Sequence, residues 1–239
     1  MSADLPPSHP DPRDPDLDPP AGAFGLLISS FDFSPVAEDE FHDWYDTEHI
    51  PERLRIPGFL DIRRWSSIDD PKVSMTTYDL ASPAVLRSPG YLAVGYENNS
   101  PWTRRVGWRC IKRLRAEAVQ AWPGRALAPA YAGALLVAAA NPAPGREAAL
   151  EAWVEGHAAG LAPGGAGAQG GSGAVPGLNG VRAFRAWAGT HRHVVTYHLD
   201  HERLLQDPSW QARVVQPWRD QPAAADLQFT RCRRYVRGA

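Results

Sequence analysis

The chain predicts an α+β fold built twice over, two β-α-β-β-α-β units joined head to tail with their sheets facing each other. Three observations carry this. Leu26-Leu27-Ile28 and Trp44 recur as Leu135-Leu136-Val137 and Trp153 at an offset of 109 residues. Pro57-Gly58, Arg63, Thr77-Tyr78, Leu80 and Pro89 recur as Pro176-Gly177, Arg182, Thr196-Tyr197, Leu199 and Pro208 at an offset of 119. The change of offset falls between Trp153 and Pro176, where the glycine-rich stretch 160–175 supplies the extra residues. Two copies of about 100 residues are too few for a solenoid, so the expected outcome is one fused pseudo-dimer.

Each element follows from local pattern. Residues 1–21 are rich in Pro and Asp and nearly devoid of apolar side chains, so they predict a disordered tail. Phe24 to Phe31 reads as a strand, and the Asp32-Phe33-Ser34-Pro35 turn leads into a helix over 36–53. After Pro57-Gly58 the sequence alternates through Phe59, Asp61, Arg63 and Trp65, and Val73 to Leu80 pairs with it across an Asp-Asp-Pro turn. A helix over 82–96 and a strand over 106–114 complete the first unit, 22–120. A linker, 121–130, precedes the second unit, 131–239, with strands at 132–139, 178–199 and 227–236 and helices at 145–158 and 201–215. This order is the ferredoxin-like split unit. Helices cover only one face of such a sheet, so the other face needs a partner, supplied here by the same chain. The units should close an intramolecular α+β barrel, for which a monomer suffices; a homodimer through the helices stays open.

Composition narrows the function. A net charge of −2 and the lack of a basic stripe argue against nucleic acid as a partner. Two cysteines, no signal-peptide core and no long apolar span predict free thiols, no membrane and a cytoplasmic setting. Glycine-rich phosphate loops, nucleophile elbows and Cys-x-x-Cys pairs are absent. His42, Asp46 and His49 could present three metal ligands along one helix side, but a solvated polar face explains them better, and no metal is expected.

The first helix holds the candidate chemistry. Phe41, Trp44, Tyr45, Glu48 and His49 follow helical spacing, so this stripe should face the sheet and carry an acid and an imidazole inward. The second unit reads Trp153-Val154-Glu155-Gly156-His157 there and lacks Tyr45 and Arg53, which points to one retained and one remodelled pocket. His49 is read either as a general acid/base or as a residue closing the helix C-terminus. Arg63 is read either as a binder of an anionic substrate or as a donor to helix-end carbonyls.

The run Trp44-Tyr45-Asp46-Thr47-Glu48-His49-Ile50-Pro51-Glu52-Arg53, with Pro57-Gly58-Phe59 and Arg63-Arg64-Trp65 after it, resembles the EthD-like branch of the dimeric α+β barrel superfamily. The resemblance covers 24–115 well and 131–237 weakly. It implies the barrel fold and, more loosely, the activities found on it: cofactor-free monooxygenases, cyclases, isomerases, dehydratases and several haem enzymes. The resulting expectation is a lyase- or isomerase-like enzyme without a cofactor, performing elimination, isomerisation or cyclisation on a carbonyl-containing or aromatic-derived small molecule. His49 would be the acid/base, Glu48 or Asp46 would orient it and raise its pKa, and Tyr45 would donate a hydrogen bond. Arg53, Arg63, Trp44 and Trp65 would bind substrate. The rival readings are a non-catalytic ligand-binding protein and a haem-linked enzyme.

Overall fold

The structure, a computed structural model, describes residues 22–163 and 175–237. The expected disordered tail and most of the glycine-rich insert lie outside the described residues. Eight antiparallel strands close a barrel in the order β1-β3-β2-β8-β5-β7-β6-β4. They are β1 Gly25–Asp32, β2 Phe59–Ser67, β3 Val73–Leu80, β4 Ile111–Trp122, β5 Ala134–Pro142, β6 Leu178–Gly189, β7 His193–Leu199 and β8 Ala224–Arg234. The first-half strands run β4-β1-β3-β2 around the wall, and the second-half strands follow as β8-β5-β7-β6. Two seams join the halves: β4 on β6 over six paired positions, and β2 on β8 over only three, Trp65–Ser67 against Arg234–Cys232.

Side chains alternate across this wall. Leu26, Ile28, Trp65, Met75, Leu114, Ala116, Ala118, Leu135, Val137, Phe184, Val194 and Cys232 fill the interior. Small alanines on β4 and β5 leave room for Trp65 and Phe184, so the barrel is a packed core. The outward residues form separate clusters under the helices. In the first half, α1 Glu38–Trp44 runs through a π-helical turn, Tyr45–His49, into α2 Ile50–Leu54. In the second half, α5 Glu147–Leu161 lays Leu150, Val154 and Ala158 on Ala134, Leu136, Val181 and Val195.

The helix expected over 82–96 is instead a chain of short pieces: a 3₁₀ turn Pro83–Arg87, α3 Pro89–Leu92, a 3₁₀ turn Tyr96–Asn98 and α4 Pro101–Val106. Pro83, Pro89 and Pro101 each lack an amide hydrogen and restart the helix rather than continue it. Its second-half counterpart divides the same way, into a 3₁₀ turn Glu202–Gln206, α6 Pro208–Trp210, a π turn Gln211–Val215 and α7 Gln216–Arg219. The strand read over 106–114 begins only at Ile111 and continues to Trp122, two residues into the region read as linker. Its run of alanines and charged residues hid the alternation. The remaining linker is not a tether. Residues 126–129 sit on the end of the barrel, where Ala126 O accepts from Gln120 Nε2 at 2.8 Å and Ala128 N donates to Asp79 Oδ2 at 3.0 Å. Cys110 and Cys232 are buried free thiols.

Candidate active site in the first helix layer

The π turn adds a residue to the helix and turns Tyr45 and His49 together onto β3, leaving Thr47 exposed. Tyr45 is 1% exposed and Trp44 likewise. The His49 ring packs edgewise on Tyr45 and 4.5 Å from the Trp44 ring, and its Nε2 lies 3.0 Å from the Tyr78 hydroxyl on β3. Its other nitrogen, Nδ1, is enclosed and without a protein partner, while the residue as a whole is half-buried. Burial, reinforced by the Arg53 and Arg64 guanidiniums, holds the His49 pKa well below the ordinary histidine value. Burial raises Tyr45 and raises Tyr78 further, so both phenols keep their protons.

The carboxylates expected to orient His49 do other work, and its pKa moves opposite to the expectation. Glu48 Oε1 accepts from Ser100 Oγ at 2.5 Å and Thr103 Oγ1 at 3.3 Å, tying the turn to the start of α4. Trp44 Nε1 donates to the same Thr103 hydroxyl at 3.0 Å. Asp46 Oδ1 takes Arg64 Nη1 at 2.6 Å, and Asp46 Oδ2 takes Arg237 at 3.2 Å. The partner of His49 is thus Tyr78, which recurs in the second half as Tyr197.

The expected substrate binders separate as well. Arg53 is 4% exposed, pairs with Glu52 at 2.6 Å and reaches Val94 O at 3.4 Å. Arg63 points into the barrel, where it pairs with Asp61 at 2.6 Å and donates to the linker carbonyls of Pro129 and Ala128 at 2.5 and 3.3 Å. Trp65 also faces inward, its Nε1 donating to Thr77 Oγ1 at 3.1 Å. Phe59, expected on the Arg63 face, lies outside, because a bulge between Phe59 and Asp61 flips the alternation. Arg64, one residue on, faces the helix. Its guanidinium lies 4.6 Å from the Tyr45 ring and 3.8 Å from Tyr235, with Nη2 2.6 Å from His42 Nδ1. One step of strand parity on β2 separates Arg64 from Arg63, and the bulge conceals its phase in the sequence.

A groove of about 1120 Å³ crosses the β2–β8 seam between α1 and the second-half 3₁₀ turn, past Ser66, Arg233, Tyr235, His42 and Arg203. It meets the helix at Glu38, Asp39 and His42 and does not include His49. Among the described residues no cluster of His, Cys, Asp and Glu has metal-site geometry. A haem would need a slot between helix and sheet. In the second half that layer is filled by Tyr197, Trp210 and Trp218, and His157 stacks face to face on Trp153 at 4.7 Å. The residues do not fit the group.

No family model matches the chain, and no curated protein does. Solved structures do. An anthrone oxidase-like protein aligns at a TM-score of 0.56 and 11% identity, over 89% of this chain and 92% of its own. A protein named a chlorite dismutase gives 0.54 and 10%, over 88% and 94%. A Fusobacterium nucleatum subsp. nucleatum protein named a monooxygenase gives 0.53 and 8%, over 90% and 94%. At these identities the shared property is the fold, that of the dimeric α+β barrel proteins.

Proposed function

We propose that this chain is a small-molecule enzyme that moves a proton at an acidic C–H bond of a carbonyl-containing or aromatic-derived substrate, with His49 as the base. The observation carrying this reading is the His49–Tyr78 pair: a neutral imidazole with one nitrogen on a phenol and the other free. When Nε2–H donates to the Tyr78 oxygen, Nδ1 holds a lone pair and accepts the proton. When the Tyr78 hydroxyl donates to Nε2, Nδ1–H can return it. The phenol fits both tautomers, so the pair serves as base and then acid. Burial keeps the imidazole neutral, and the positive field of Arg53 and Arg64 that reinforces it also favours the enolate or phenolate left when the C–H electrons stay on the substrate.

The fate of that anion sets the reaction. Expulsion of a leaving group is elimination, reprotonation elsewhere is isomerisation, and attack on an internal carbonyl is cyclisation. The names of the anthrone oxidase-like and monooxygenase neighbours favour a further outcome, in which dioxygen takes electrons from the anion. All share the His49 step. Arg63 and Trp65 leave the substrate-binding set in this reading and become barrel scaffold; Arg64 joins Arg53, with Tyr45 and Trp44 as walls. The barrel is read as two tandem ferredoxin-like units of an EthD-like ancestor in a cytoplasmic protein, for which a monomer suffices and a homodimer stays open, with the second pocket, around His157 and Tyr197, closed.

The test needs no natural substrate. Anthrones and cyclic 1,3-diketones in D₂O report enzyme-catalysed C–H exchange by NMR. His49→Gln keeps a hydrogen-bonding group toward Tyr78 but has no ring base, and should slow exchange by about 10² to 10⁴. Unchanged exchange in His49→Gln overturns the assignment. Tight binding of these probes with no exchange in the native chain puts the binding-protein reading ahead.

A further inference from the structure

We infer that Tyr45, backed by the Ser29 and Thr76 hydroxyls, is a positioning residue that fixes His49 as the tautomer with its proton on Nε2 and a free lone pair on Nδ1. The inference rests on the reading of His49 as a base and says what keeps it one. The sheet face under the first helix pairs Leu27 with Tyr78 and Ser29 with Thr76, and the same face in the second half pairs Leu136 with Tyr197 and Ala138 with Val195. In the helix above, Tyr45 becomes Val154 at the offset of 109. Three hydroxyl-bearing side chains around Tyr78 thus give way to three apolar ones around Tyr197, all buried in one cluster. The histidine itself is kept: the rings of His157 and Tyr197 lie 6.1 Å apart, close to the 6.3 Å between His49 and Tyr78. Yet the Tyr197 hydroxyl takes Trp218 Nε1 at 2.7 Å, and His157 Nε2 has no hydrogen bond among the described residues. The hydroxyls therefore accompany the His–Tyr hydrogen bond, not the fold.

The proton positions follow from the surroundings. His49 Nδ1 is enclosed and meets no protein acceptor, while the Arg53 and Arg64 guanidiniums bear on the ring. A buried N–H with nothing to receive it is costly, and a positive field favours a lone pair, so the proton of the neutral ring sits on Nε2. Nε2–H then donates to the Tyr78 oxygen at 3.0 Å. The Tyr78 hydrogen needs an acceptor of its own, and the Tyr45 phenol bears on it. Tyr45 in turn is approached by Ser29 and Thr76. Thr76 Oγ1, enclosed with no hydrogen bond formed, is free to accept, and Ser29 stands beside it across the β1–β3 pair. Donation thus runs one way, from His49 through Tyr78 and Tyr45 to the two strand hydroxyls. Without the Tyr45 oxygen, the Tyr78 hydrogen would turn to Nε2 and the ring proton would move to Nδ1, which removes the base.

Nitrogen NMR of the isotope-labelled full chain, without substrate, tests it, because the two tautomers give different ring-nitrogen shifts; the signal lost in His49→Gln assigns the residue. The native chain should show His49 protonated on Nε2. Tyr45→Phe keeps the ring and should raise the ratio of Nδ1–H to Nε2–H by about 2- to 10-fold, the worth of one hydrogen bond, and slow C–H exchange of the anthrone probes in the same sense. Thr76→Val, which puts in the residue that the second half carries as Val195, should act in the same direction more weakly, and Thr76→Ser should keep the native ratio. The Thr76→Val measurement decides the matter if Tyr45→Phe does not fold. A native chain protonated on Nδ1, or a ratio unchanged in the folded variants, would overturn the proposal even where His49→Gln abolishes exchange. The expected tautomer shift together with unchanged exchange in His49→Gln would uphold the positioning and remove the catalytic role it serves.

Discussion

Arg63 and Arg64 are neighbours in sequence with opposite surroundings, and the difference is one step of strand parity. Arg63 is spent inside the barrel on Asp61 and linker carbonyls, whereas Arg64 reaches the helix layer beside Tyr45 and His42. Strand alternation was legible from sequence, but its phase was not, because the bulge after Phe59 reverses it and leaves no residue signature. The inward stripe was legible for Phe41, Trp44 and Tyr45, which are buried. What could not be read was the partner of each polar group on it, since Tyr78, Ser100 and Thr103 lie 29 to 55 residues away. The buried Asp79–Arg182 pair is the sharpest test at this scale. Asp79→Ala strips Arg182 of its counter-ion and Ala128 of its acceptor, and should cost about 3 to 5 kcal/mol in urea unfolding. A loss under 1 kcal/mol would mean the pair is solvated.

Among elements, the two Pro-Gly turns take equivalent conformations in the two halves. Gly58 and Gly177 both adopt left-handed backbone, φ +99° and +72°, and each carbonyl accepts from the residue after the third strand of its half, Ala81 at 2.8 Å and Asp200 at 3.0 Å. A Cβ on Gly58 would collide with Val85, and one on Gly177 with Leu204. Gly58→Ala and Gly177→Ala should each lose at least about 1 to 2 kcal/mol by denaturant titration, with an equivalent pattern in the two halves. Equal stability of either variant and the parent would show that the turn relaxes. The π turn had no such marker. Its sequence reads as ordinary amphipathic helix, and only the pull of Tyr45 and His49 toward β3, set by tertiary packing, distinguishes it. Deleting exposed Thr47 should restore regular helix, leave the chain folded by circular dichroism, and abolish C–H exchange by separating His49 from Tyr78. Full exchange in the deletion variant would show that the π turn does not position His49.

For the whole molecule, buried neutral histidines set the response to acid. Burial drops His157 and His193 to about 4, and holds His49 and His198 well below their ordinary value. The unfolded chain titrates near ~6.5, so between that pH and about 4 it binds more protons than the folded chain. Stability is therefore complete above ~6.5 and is lost as pH falls toward the folded pKa values. The urea midpoint should be lower at pH 5 than at pH 7.5, before the carboxylates titrate. An equal midpoint at both would show that these rings charge freely in the fold.

The barrel is closed by two unequal seams, and residues 126–129 add a further link between the halves. Arg63 and Arg182, one from each half, both spend donors on the carbonyls of this segment, Arg182 reaching Ala126 O at 3.2 Å. A chain severed there and coexpressed as two pieces would face the cost of ordering a free end before either guanidinium is satisfied. The connection thus acts as a stopper: one guanidinium from each half holds it on the end of the barrel, and the halves stay clasped through it.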